Sequence, residues 1–189
     1  AFCCTSDKEF KFYASSFAIA ARTRFRVSSL PMTSMSSVAP QGVICLDDDV
    51  YVHNGLRIAG LGGSCRYRTG AWQFTEAEMK KRINHLRGKI DRHGGFDILV
   101  THAPMHGYGD LNDLPHRGFT VFHELLDRYH PQLMLHGHIH LTYGCNIPRE
   151  HRYGATRIVN CYERVALEAE PVLKERTGHR FLARLLQRP

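Results

Sequence analysis

The stretch Gln132-Leu133-Met134-Leu135-His136-Gly137-His138-Ile139-His140 decides the fold, together with its counterpart Phe96-Asp97-Ile98-Leu99-Val100-Thr101-His102. Each contains a short apolar run, the pattern of a buried strand, and each ends in histidine. Between them Phe119, Phe122, Leu125, Leu126 and Tyr129 share one stripe at helical spacing, and Pro131 stops that helix. Strand, helix, strand order means a layered α/β protein. In open α/β sheets ligands bind beyond the carboxyl ends of the strands, where His102, His138 and His140 fall. Residues two apart in an extended chain point to the same side, so the spacing predicts that His138 and His140 converge on one point. Neutral imidazole suits Zn, Mn, Fe, Ni or Cu, so three histidines from two strand ends form a partial metal site.

Upstream, Val50-Tyr51-Val52-His53 and Leu56-Arg57-Ile58-Ala59 flank Asn54-Gly55, the signal of a hairpin with a type I′ turn. Thr75-Glu76-Ala77-Glu78 reads as a capping box, with Met79, Ile83, Leu86 and Ile90 following at helical spacing and Gly94-Gly95 ending the helix. Downstream, Ile158–Val159 and Val165–Leu167 read as late strands. A first strand is expected at Phe2–Thr5, whereas residues 14–42 lack clear periodicity. Val172 to Leu186 has an amphipathic pattern interrupted by Gly178.

The chain has 189 residues and 13 histidines, eight of which lie between His102 and His140. Hydrophobic residues make up 43% and charged residues 23%, which excludes a charge-dominated disordered chain. No apolar run is long enough for a transmembrane helix, and no apolar segment supports a signal peptide. A formal charge of +7 favours anionic partners, and eight of the arginines lie beyond residue 148. The six cysteines form no Cys-x-x-Cys pair, which argues for reduced thiols and a cytoplasmic location.

Thr101-His102-Ala103-Pro104 followed by Leu135-His136-Gly137-His138-Ile139-His140 resembles the C-terminal half of the calcineurin-like metallophosphoesterases. Gly60-Leu61-Gly62-Gly63, Arg66-Tyr67 and Gln73-Phe74-Thr75-Glu76 sharpen the resemblance to a small bacterial subgroup. It covers about residues 43–168 plus a short N-terminal piece, Ser6-Asp7-Lys8-Glu9. The resemblance implies a layered β-sandwich flanked by helices, spanning residues 1–170, with a basic tail at 171–189. It implies two divalent ions (Mn, Fe, Zn or Ni) held by Asp7, Glu9, His102, His138 and His140. Arg66 and Tyr67 are the implied contacts to a phosphate-ester substrate, a phosphomonoester or phosphodiester. His106 and Asn160 are further candidates.

The family's Gly-Asp-x-x-Asp and Gly-Asn-His-[Asp/Glu] blocks belong between Asp7 and Val43, and neither stands there. Two complete βα units need roughly 48 residues, more than that interval holds. The N-terminal part of the fold is therefore expected to be incomplete, with 14–42 divergent or deleted, and turnover to be impaired. The alternative is a non-catalytic remnant that binds anions or nucleic acid. The sequence selects neither a substrate nor an oligomeric state.

Overall fold

The computed structural model describes residues 17–20, 24–28, 46–144 and 146–171. Its centre is a mixed sheet of six strands in the order β3-β4-β7-β8-β10-β9. These are β3 (Asp49–His53), β4 (Leu56–Leu61), β7 (Ile98–Thr101), β8 (Leu133–His136), β9 (Glu150–Tyr153) and β10 (Thr156–Asn160). The four central strands, β4, β7, β8 and β10, run parallel, and the edge strands β3 and β9 return antiparallel. A second sheet joins β1 (Phe17–Ala20), β2 (Arg24–Ser28) and β11 (Arg164–Glu168), all antiparallel. A short pair, β5 (Ser64–Cys65) and β6 (Gln73–Phe74), completes the strands.

Alternation along the parallel strands builds two cores. Leu56, Ile58, Ile98, Val100, Leu133, Leu135 and Val159 face Val165, Leu167 and Ala169. Ala59, Leu61, Leu99, Met134 and Ile158 face the two helices, α1 (Glu76–Arg92) and α2 (Phe122–Tyr129). The molecule is thus an α/β sandwich with helices on one face of the large sheet and β11 on the other. The expected flanking helices cover one face only among the described residues.

The hairpin forms as expected, with Asn54 and Gly55 at φ of 47° and 82°, the left-handed pair a type I′ turn needs. Thr75 caps α1 in a full capping box, and Met79, Ile83, Leu86 and Ile90 are its buried stripe. The Thr75 backbone N–H donates to Glu78 at 2.7 Å, and this bond holds the Glu78 carboxyl below the usual carboxylate range. Helix α2 starts later than its stripe, because Phe119 packs on Phe122 from the preceding turn.

Three features differ from the sequence reading or lie beyond it. Strand β9 and its turn to β10 escaped it, since Glu150-His151-Arg152-Tyr153 is half exposed at a sheet edge and has no apolar run. The stretch 14–42 does contain strands. Arg24-Phe25-Arg26-Val27-Ser28 alternates polar and apolar residues, but its partner β11 lies far away in sequence. The expected strand Phe2–Thr5 and the helical pattern from Val172 to Leu186 lie outside the described residues.

Candidate metal and phosphate site

Strands β7 and β8 are neighbours in register, pairing Thr101 with His136, so the chain leaves both at the same edge of the sheet. Backbone bonds fix the exits. His102 N–H donates to Leu61 at 3.2 Å, and Gly137 N–H donates to the His102 carbonyl at 3.1 Å. These constraints bring His102 Nε2 within 3.1 Å of His138 Nδ1. His138 Nε2–H donates to the Pro115 carbonyl at 2.7 Å, which fixes the tautomer and leaves Nδ1 as the acceptor facing His102. Burial pushes the His138 pKa below the usual histidine range, so its ring is neutral at pH 7.

The loop at His138 is not extended. His138 has φ of +67°, and Ile139 N–H closes onto the Gly137 carbonyl at 2.7 Å. This is a γ-turn with a left-handed centre, a rare and strained form that tends to occur at functional sites. The turn cancels the alternation expected for His138 and His140. His140 stacks instead with Tyr143 and Tyr162, at centroid distances of 4.9 and 4.6 Å. Asn160 supports this loop from below: its side-chain amide donates to the Ile139 carbonyl at 2.8 Å and is buried. It is a structural group there, not the substrate contact considered from sequence.

The sequence reading missed His116. Its ring lies 5.4 Å from that of His138 and 5.0 Å from that of Tyr143, and its Nδ1 is 2.6 Å from an Asp113 carboxyl oxygen. No spacing signal marks it. It reaches the site because the 3-10 turn Leu114–His116 carries Pro115, the acceptor for His138. His136 is fully buried; it donates from Nδ1 to the Gly137 carbonyl, and its Nε2 has no partner. Burial drives its pKa down to about 4. Gly109 lies against that nitrogen at φ of 83°, and a Cβ there would stand 2.9 Å from Nε2.

A string of the form Gly-Asp-x-x-Asp does occur, as Gly109-Asp110-Leu111-Asn112-Asp113, but after His102 and so out of the family's order. Its carboxylates have local partners. Asp110 accepts from His106 at 2.7 Å and from the N–H groups of Gly107 and Gly118, and Asp113 pairs with His116. His106 is thereby occupied as well.

Among the described residues, no group of three or more His, Cys, Asp or Glu side chains is arranged to hold a metal ion. Two imidazole nitrogens 3.1 Å apart nevertheless fall within reach of one ion with metal–nitrogen bonds of about 2.1 Å. The other nitrogen of His138 is held by an oxygen acceptor, as ligand histidines require. His102 and His138 therefore fit as two ligands of a divalent ion. His140 is not joined to that pair, and Asp7 and Glu9 lie outside the described residues.

Arg66 and Tyr67 are exposed on the loop between β5 and β6. Arg66 pairs with Glu78 at 2.8 Å, both side chains being well exposed. With Arg68, Thr69, Gly70 and Leu114 they line an open hollow of about 580 Å³. Leu114 adjoins Pro115, so one turn separates the hollow from His138.

No protein-family model matches the chain. A curated protein of Caenorhabditis elegans, UPF0046 protein T07D4.2, is 36% identical over 88 residues, 42% of this chain and 20% of that protein. The matched part therefore spans about a fifth of the relative's length. Among solved structures, one chain superposes with a TM-score of 0.49 and 15% identity, over 65% of this chain and 49% of that one. No helix of the described residues is long and apolar enough to cross a membrane.

Proposed function

We propose that the chain is a metal-dependent phosphoesterase with a partial two-metal site, acting on a phosphomonoester or phosphodiester. The observation that carries this reading is the 3.1 Å approach of His102 Nε2 to His138 Nδ1 at the ends of two neighbouring parallel strands. His102 and His138 would hold one divalent ion, and His140, with Asp7 and Glu9, the other. Such ions supply charge neutralisation at phosphate oxygens and activation of water. The protein's own part is positional. The Pro115 carbonyl keeps His138 in one tautomer, and the strained turn aims its ring at His102. Arg66 and Tyr67 would meet the substrate. Because the upstream ligand blocks are missing from their places, turnover should be weak. The unpaired Cys65 and Cys161 agree with a reducing, cytoplasmic setting.

The second reading is an anion-binding protein without turnover, favoured by the +7 charge. One experiment separates the two. Equilibrium dialysis of the full chain against Mn²⁺ or Zn²⁺ should show uptake that falls about 10- to 100-fold in affinity in His102→Ala and His138→Ala. Bis(nitrophenyl) phosphate is then offered to the loaded protein. Slow hydrolysis lost in His138→Ala supports the esterase, metal uptake without hydrolysis supports the binding protein, and uptake unchanged in the double variant sinks both site assignments.

A further inference from the structure

The hollow beside the histidine pair bears on what kind of phosphate ester this site takes. Its lining is mixed: the guanidinium groups of Arg66 and Arg68, the ring of Tyr67 and the side chain of Leu114. Two of these are large apolar surfaces left in water. Tyr67 is 37% exposed and Leu114 is 61% exposed. An isolated exposed leucine needs no explanation, but one that shares a concave surface with an exposed aromatic ring does.

Arg68 is the charged member not already committed. Arg66 is paired with Glu78, whereas among the described residues Arg68 has no carboxylate partner; its guanidinium sits 5.3 Å above the Tyr67 ring. A guanidinium lying on an aromatic face leaves its edge free for an anion while the stack presents a flat surface. Gln73 holds the loop in this form, its side-chain carbonyl accepting from the backbone N–H groups of Tyr67 and Arg68 at 3.3 and 3.2 Å. The surface is therefore organised before any ligand arrives, which lowers the entropic cost of binding. The hollow is open to solvent, and its volume of about 580 Å³ is ample for a small ring.

The placement ties the hollow to the phosphate end. Leu114 lines it, the next residue accepts the hydrogen bond of His138, and the one after that is His116 beside the same ring. We infer that the hollow formed by Tyr67, Arg68 and Leu114 binds the organic part of the ester, and that this part carries an aromatic ring. The phosphate would then lie toward His102 and His138, with Arg68 offsetting its charge. This inference rests on the phosphoesterase reading, since it takes the histidine pair as the phosphate end.

The test is calorimetric titration of the full chain loaded with Mn²⁺, using phenyl phosphate, methyl phosphate and inorganic phosphate as probes. Phenyl phosphate should bind about tenfold tighter than methyl phosphate, an effect of ring burial and stacking. Leu114→Ser and Tyr67→Ser should each reduce that ratio to about twofold. Both positions are exposed, so neither substitution threatens folding. Equal affinity for phenyl and methyl phosphate in the wild type overturns the inference while leaving the phosphate reading intact. A preference for phenyl phosphate that survives both substitutions overturns the location. Failure of all three probes to bind overturns the phosphate reading together with the inference.

Discussion

The two ends of strand β7 have opposite designs. At its start, Asp97 is 1% exposed and every carboxyl oxygen is used: Oδ2 accepts from Arg57 N and Nε at 2.9 and 3.0 Å, and Oδ1 from the Arg57 guanidinium at 2.7 Å. Arg57 also donates to the Gly94 carbonyl at 2.8 Å, tying the end of α1 to β4. At the other end of the same sheet stand His102 and His138, held by a strained turn, and His136 with an unpartnered buried nitrogen. One end closes its polar network on itself. The other leaves a buried imidazole nitrogen, His136 Nε2, without a partner. A closed network serves stability, whereas an open one has capacity for a ligand.

The strongest challenge to this contrast is Asp97→Ala. It takes the carboxylate away from the part-buried Arg57 guanidinium, which keeps backbone carbonyl partners such as Gly94, and should cost about 3 kcal/mol in urea denaturation, while His102→Ala should cost about 1 kcal/mol or less. Equal losses would erase the distinction between the two ends.

The open end also makes a prediction in pH. His136 is neutral in the folded protein with a pKa near 4, against about 6.5 in the unfolded chain, so the unfolded state takes up the proton first as pH falls. Stability from this group is full above pH 6.5 and declines through the interval down to about 4, by roughly 3 kcal/mol. Denaturation curves of the metal-free chain in chelator should show this slope, and His136→Leu should flatten it. A variant with the wild-type slope would show that groups other than His136 set it. His138, whose pKa is lowered in the same direction by burial, leaves a smaller residual slope of the same sign.

The smallest effect is expected at the N-terminus of α1. Thr75→Ala removes the cap of α1, and its loss should be about 1 kcal/mol in the same denaturation assay, with metal uptake unchanged. A change in metal uptake would show that α1 also shapes the histidine edge.

Local chemistry made much of the fold readable. The Asn54-Gly55 turn, the Thr75 capping box and the apolar runs of β7 and β8 each carry their own instruction within a few residues, and all formed where expected. Strands β1, β2 and β9 did not announce themselves, because a short strand is stabilised by a partner that its own sequence does not contain. The candidate site divides in the same way. His102, His138 and His140 stand out in the sequence by their place after buried strands. The inward turn of His138, the stacking of His140 and the arrival of His116 do not.

By itself, the sequence determined an α/β protein with histidines at the carboxyl edge of its sheet, since strand burial and turn chemistry are local properties. Only the tertiary structure decided which histidines meet. Hydrogen bonds from Gly137 to His102 and from His138 to Pro115 join segments 35 and 23 residues apart, and a left-handed φ at one residue redirects the side chain that the spacing had aimed elsewhere. Side-chain convergence depends on backbone dihedrals set by distant packing, and spacing along the chain carries no record of them.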